Sequence, residues 1–130
     1  MQIHQSAEDY LETILMLTQR MGRVRSIDVV NELGFTKASV SIAMKKLREN
    51  GYIAVDGEGN LTLLEPGREI AERIYSRHRL LTHFFMQLGV DEKIAAEDAC
   101  KAEHILSEQT LEKIRERAIE TDAELGKTVK

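Results

Sequence analysis

Three residues in the last third of the chain carry coordinating atoms at helical spacing. Cys100, Glu103 and His104 stand at i, i+3 and i+4, so one continuous helix would place thiolate, carboxylate and imidazole on a single face. That mixed-softness set suits a divalent first-row metal. Asp9 and Glu12 repeat the i, i+3 spacing near the N-terminus, and His78 lies late in a long helical stretch that would bring it toward both groups. Each residue also has a plainer use. Capping and the helix dipole account for Asp9 in a first turn. Cys100 would serve as a small buried apolar residue, His78 between Arg77 and Arg79 as an exposed polar side chain, and Glu103 as a solvated acid. His4 and His83 have no comparable partners and read as surface residues.

Helices must carry these groups, and the apolar periodicity supplies them. Ser6 reads as an N-cap with an acid, Asp9, three residues on, after which Tyr10, Leu11, Ile14, Leu15 and Leu17 follow helical spacing to Met21-Gly22. Ser26 is the next cap, with Ile27, Val30 and Leu33 as an apolar stripe and Gly34 as a left-handed stop. Thr36 caps a third helix in which Val40, Met44 and Leu47 recur until Asn50-Gly51. Two short helices joined by the tight turn Leu33-Gly34-Phe35 form a helix-turn-helix. Tyr52–Val55 and Leu61–Leu64 then read as strands around Asp56-Gly57-Glu58-Gly59-Asn60, a hairpin that forms a wing. Pro66 suits the first position of a long helix reaching about Leu88. Asp91 and Ser107 cap two further helices, over 92–106 and 108–124. The predicted fold is mainly α: an N-terminal winged helix-turn-helix over 1–65, then an all-helical metal-binding and dimerisation domain over 66–130.

The net charge of −4 argues against a nucleic-acid partner only while it is read as one number. Residues 20–50 hold seven basic residues and three acids, a +4 segment inside an otherwise acidic chain. The second helix of a helix-turn-helix presents its N-terminal residues to base edges, and flanking cations fix the register on phosphates. Thr36, Lys37, Ser39 and Ser41 are the polar or cationic groups at that position, while Ala38 and Ile42 would meet a thymine methyl. Arg23, Arg25, Lys45, Lys46 and Arg48 are the candidates for phosphates.

Composition narrows the remaining classes. With 130 residues, 42% hydrophobic and 31% charged, the chain is expected to fold. It has no apolar run near the roughly 20 residues a membrane helix needs, and its first residues lack a signal-peptide pattern. A single cysteine rules out an internal disulfide and suits a reducing cytoplasm.

Four segments carry a family resemblance: Ala7–Ile14, Val24–Val30, Arg77–Leu81 and Ala99–Ser107. In that order the chain resembles the metal-dependent repressors of the diphtheria toxin repressor and manganese transport regulator family. The resemblance implies a winged helix followed by a helical dimerisation domain, in the short form without the C-terminal barrel of longer members. It places the metal ligands on Asp9, Glu12, His78, Cys100, Glu103 and His104. Asp9 and Glu12 are similar to the manganese-responsive branch and Cys100 to the iron-responsive one. Thr82 replaces an acid of both branches, and Ala96 replaces a histidine of the iron branch. Carboxylates favour Mn²⁺ and a thiolate favours Fe²⁺ and later metals, so one or two Mn²⁺ or Fe²⁺ ions per subunit are expected.

The function implied is a metal-dependent DNA-binding regulator, a repressor of manganese or iron uptake genes. Metal would bridge the DNA-binding and dimerisation layers as corepressor, and a homodimer would read a pseudo-palindromic operator. Ile94, Ile105, Leu106, Leu111, Ile114 and Ile119 offer apolar faces either for the partner subunit or for an internal core. No enzymatic activity, membrane or organic small-molecule ligand is expected. Two rivals stand beside this reading: a winged-helix regulator sensing redox through Cys100, and a small metalloenzyme using Glu103 and His104.

Overall fold

Tyr10, Leu11, Ile14, Leu15 and Leu17 build the buried face of helix α1 (Gln5–Met21). The structure is a computed structural model that describes residues 5–124; His4 and the side chain of Ile119 lie outside the described residues. The helix already includes Gln5, so Ser6 sits within its first turn and does not cap it, as an unbroken run of tolerated helix formers allows.

Helix α2 (Ser26–Leu33) starts one residue before the position that a Ser26 cap implies. Arg25 is its N-cap: the Arg25 backbone N–H donates to Asp28 Oδ2 at 2.8 Å, so the cap oxygen comes from inside the helix and Ser26 is the first helical residue. Its core residue is Val29, whereas Ile27 is 42% exposed and Val30 and Leu33 are only half-buried. Two turns of helix are too few to make the stripe unique, and packing against α1 and helix α3 (Lys37–Glu49) selects Val29. Gly34 ends α2 at φ 72°, its N–H donating to Val30 O at 2.8 Å.

Thr36 caps α3 as the sequence predicts. Its Oγ1 accepts from Ser39 N at 3.1 Å and donates to Ser39 Oγ at 2.9 Å, while Val40, Met44 and Leu47 turn inward. Thr36→Ala is expected to cost about 1 kcal/mol, read as a lower urea midpoint, with Thr36→Ser retaining most of the parent stability.

Strands β1 (Ile53–Val55) and β2 (Leu61–Leu63) pair antiparallel with Ala54 opposite Thr62. Asp56 shapes the connection, accepting from Asn60 N and Glu58 N, each at 2.9 Å, and from Asn60 Nδ2 at 3.0 Å. The Asn60 hydrogen bonds hold its carboxyl below the usual carboxylate range. Their stabilisation is therefore present above that range and lost as pH falls through the depressed value. Leu61 N donates to Val24 O at 2.7 Å, and Arg25 bridges Asn60, which fastens the wing to the segment before α2.

Helix α4 (Glu65–Gln87) has Pro66 at its second position, one later than expected. Helices α5 (Glu92–Ala102) and α6 (Glu108–Glu124) follow. The chain divides into two compact units, Met1–Arg73 and Ile74–Lys130, with the division inside α4. The second unit is built on Leu80, Leu81, Ala99, Leu111 and Ala118, with Leu106 and Ile114 packed against them. Leu106, Leu111 and Ile114 thus serve the internal core, while Ile94 and Ile105 are 47% and 76% exposed.

α5 stops four residues short of its predicted end at 106. Ile105 N and Leu106 N both donate to Ala102 O, at 3.1 and 3.2 Å, and the resulting turn swings Leu106 into the core. Ser107 Oγ then accepts from Thr110 N at 3.2 Å and opens α6.

Candidate nucleic-acid interface and metal-ligand cluster

The eleven residues proposed to face nucleic acid all lie in the first unit, and all are exposed: Arg23, Arg25, Thr36, Lys37, Ala38, Ser39, Ser41, Ile42, Lys45, Lys46 and Arg48. The buried triad Val40, Met44 and Leu47 orients α3 so that its other faces meet solvent. Ile42 is 58% exposed, an apolar side chain with no core to fill. Ser41, Lys45 and Arg48 share a hollow of about 280 Å³ with Ser26, Met44 and Val55. Phe35 braces the turn before α3, its ring edge-on to Tyr10 with centroids 5.9 Å apart. Arg25 is partly committed to the wing, because a Cβ at Gly59 would stand 3.4 Å from Arg25 Nη2. Residues 51–64 contain Asp56 and Glu58 and no Lys or Arg. The wing itself therefore offers no cationic phosphate contact.

On α1 the two proposed ligands of the first unit differ in exposure: Asp9 is half-buried and Glu12 is buried. They lie on the same side of α1 by spacing, one turn apart.

The second unit gathers three of its four proposed ligands. His78, from the middle of α4, places Nδ1 3.0 Å from Glu103 Oε2. His104 Nε2 stands 3.4 Å from the other oxygen, Glu103 Oε1. Glu103 is fully buried, and its Oε1 has no hydrogen-bond donor among the described residues. A buried carboxylate oxygen left in that state costs free energy unless a cation completes it. Each oxygen of this carboxylate faces a separate imidazole nitrogen, and carboxylate and imidazole are donors that first-row divalent metals accept. The residues present therefore fit a metal ion.

Cys100 is placed differently. It is exposed on α5, so the alternative of a small buried apolar residue does not hold. The single helix expected to carry the three residues ends among them: Glu103 is the C-cap of α5, still at helical angles, and His104 lies in the turn beyond it. His83 is half-buried, against the surface position expected of it.

The spacing arguments pass over Arg77, whose Nη1 donates to Glu103 O at 3.1 Å and whose Nη2 pairs with Glu108. No local signal marks it, because its partners lie 26 and 31 residues along the chain.

Among the described residues, no helix is long and apolar enough to cross a membrane. Two family models match: iron dependent repressor, N-terminal DNA binding domain, over residues 2–61, and iron dependent repressor, metal binding and dimerisation domain, over 64–120. An uncharacterised HTH-type transcriptional regulator of Methanocaldococcus jannaschii is 36% identical over 113 residues, covering 85% of this chain and 90% of that protein. The HTH-type transcriptional regulator MntR of Lysinibacillus sphaericus is 33% identical over 109 residues, covering 84% of this chain and 78% of its own length. A solved manganese-dependent transcriptional repressor in complex with manganese superposes with a TM-score of 0.76 at 29% identity, over 92% of this chain. The chain covers 52% of that structure's length.

Proposed function

The chain belongs to the iron-dependent repressor family, and on that premise we propose that it is a metal-dependent, DNA-binding transcriptional repressor and not an enzyme. The observation that carries the metal dependence is Glu103, a fully buried carboxylate set between His78 and His104. Residues 1–65 form the DNA-binding part and 66–130 the metal-binding and dimerising part, a division close to the break between the two family matches.

His78, Glu103 and His104 are the proposed metal ligands of the second unit, Asp9 and Glu12 those of the first, and Cys100 is the sixth ligand candidate. Mn²⁺ or Fe²⁺ bound to these groups supplies positive charge to the acids and acts as corepressor. The support is the donor chemistry found within each unit, together with the family match. Carboxylate and imidazole donors accept either metal, and the thiolate of Cys100 inclines the set toward iron.

Thr36, Lys37, Ser39 and Ser41 hydrogen-bond base edges, Ala38 and the exposed Ile42 meet thymine methyls, and Arg23, Arg25, Lys45, Lys46 and Arg48 take phosphates. The operator is pseudo-palindromic, since a two-fold homodimer presents two α3 helices to half-sites about one helical turn apart. Exposed Ile94 and Ile105 are available to the dimer contact. The protein works in the cytoplasm, where its DNA is.

A DNA-binding titration on chelated protein, repeated with Mn²⁺, Fe²⁺, Co²⁺ or Zn²⁺, tests the reading. Affinity for specific sites is expected to rise by about 5–150-fold with the effective metal, the usual range of coupling between two sites. Equal affinity under all conditions overturns it. Chelator-insensitive binding that peroxide abolishes would favour redox sensing through Cys100 instead.

A further inference from the structure

The last carbonyls of an α-helix have no partner within it, and a cationic side chain is a favourable one. Glu103 is the C-cap of α5, so its own carbonyl is one of these groups. Arg77 meets it: Nη1 donates to Glu103 O at 3.1 Å while Nη2 pairs with Glu108 in the first turn of α6. The Arg77 side chain is only 14% exposed, whereas Glu108 is 79% exposed, so the guanidinium is anchored at its inner end. One residue on, His78 reaches the carboxylate of the same Glu103. Adjacent residues of α4 thus grip the backbone and the side chain of one buried acid.

That grip matters because Glu103 and His104 lie where α5 ends. Glu103 N makes the last helical bond of α5, to Ala99 O at 2.9 Å, and the turn beyond it is closed by two bonds to a single carbonyl, Ala102 O. We infer that Arg77 is a positioning residue for the metal site, fixing the Glu103–His104 turn against α4 so that each oxygen of the carboxylate meets its own imidazole. The inference rests on the metal reading above. Only a planar fork serves both acceptors at once. A lysine at 77 keeps the charge but not the paired geometry.

The test uses the full chain as parent, Arg77→Lys and Arg77→Ala, each stripped of metal, with Mn²⁺ as the calorimetric ligand and Co²⁺ absorption as a report on coordination. Arg77→Lys is expected to unfold, metal-free, at the parent's temperature. Its Mn²⁺ dissociation constant rises by about 10–100-fold, the usual loss when a group supporting a ligand is removed. Its Co²⁺ spectrum also departs from the parent's, which a purely structural role would not produce. Arg77→Ala is expected to lose at least as much affinity, and if it does not fold, Arg77→Lys alone decides. Mn²⁺ affinity in folded Arg77→Lys within about twofold of a metal-binding parent overturns the role of Arg77 and leaves the metal reading intact. A parent that binds neither Mn²⁺ nor Co²⁺ overturns both.

Discussion

Glu103→Ala is expected to reduce metal-stimulated DNA binding to the level of the chelated parent while the protein stays folded. The side chain is fully buried, and its two oxygens face His78 Nδ1 at 3.0 Å and His104 Nε2 at 3.4 Å. Without it the second unit keeps two imidazoles but loses the anion between them, so a divalent cation there forfeits its main charge compensation. Groups that merely support a ligand are worth about 10–100-fold in metal affinity, and a ligand itself should cost more than about 100-fold. Folding is far less exposed to the change. A buried charge is expensive to desolvate, and an imidazole, unlike a carboxylate, need not be charged at neutral pH, so deleting the acid leaves no obligatory buried ion behind. Glu103→Gln separates charge from shape, because it preserves volume and a hydrogen bond to His78 and should fail in the same way. Non-specific DNA binding survives in both variants, since the +4 segment over residues 20–50 is untouched and keeps its salt dependence. Coupling between sites is reciprocal, so specific DNA must also tighten Mn²⁺ binding in the parent and cease to do so in Glu103→Gln. Full activation by metal in either folded variant would remove Glu103 from the site.

Sequence periodicity locates some elements to the residue and others only roughly, for identifiable reasons. α3 is legible because local chemistry brackets it: Thr36 supplies the cap oxygen and Asn50-Gly51 closes the end, with Gly51 at φ 81°. The wing is legible because Asp56 hydrogen-bonds backbone within its own five-residue turn. The inner face of α2 is not. An eight-residue helix presents two turns, and the choice between Ile27 and Val29 is made by α1 and α3, which lie outside the local window. The end of α5 escapes the pattern because Glu103 stops the helix with ordinary right-handed angles, φ −59° and ψ −23°, and no Gly or Pro announces the turn. That difference has a functional side. The single helix expected to carry Cys100, Glu103 and His104 ends among them, and Cys100 is exposed while Glu103 is buried. His78 and Glu103 are 25 residues apart, so their meeting depends on how α4 packs with the turn after α5, which spacing cannot report. For the same reason Arg77 reads in the sequence only as His78's charged neighbour. The proposed ligand set comes from donor types and a family resemblance, and the geometry of the second unit gathers three of its members.

Gly67→Ala is expected to be the most destabilising small substitution in the first unit, at a position that sequence periodicity passes over. Gly67 lies in the first turn of α4, where alanine is ordinarily the better helix former by about 1 kcal/mol. Here the sign reverses, because a Cβ at 67 would lie 2.2 Å from Tyr52 O, 3.0 Å from Tyr52 C and 3.4 Å from Leu11 Cδ2. The obstacle is backbone and cannot rotate away. Tyr52 O is also the acceptor for Leu64 N at 3.0 Å, and Tyr52 N donates to Leu47 O at 2.9 Å, so moving the carbonyl disturbs both the start of α4 and the exit from α3. Relief therefore requires the helix start to withdraw from the β1 entrance, loosening the wing and the buried Leu11 together. Overpacking of this kind costs about 3 kcal/mol or somewhat more. For a unit of this size that corresponds to roughly 12–20 °C in melting temperature. Gly57→Ala is the matched control, since a Cβ there meets nothing within 4 Å and its backbone is not in the left-handed region. It should leave the melting temperature close to the parent's or raise it slightly, through the smaller entropy of the unfolded chain. Circular dichroism melts of the three proteins decide the matter. If Gly67→Ala melts within about 2 °C of Gly57→Ala, the close approach to Tyr52 does not constrain the fold.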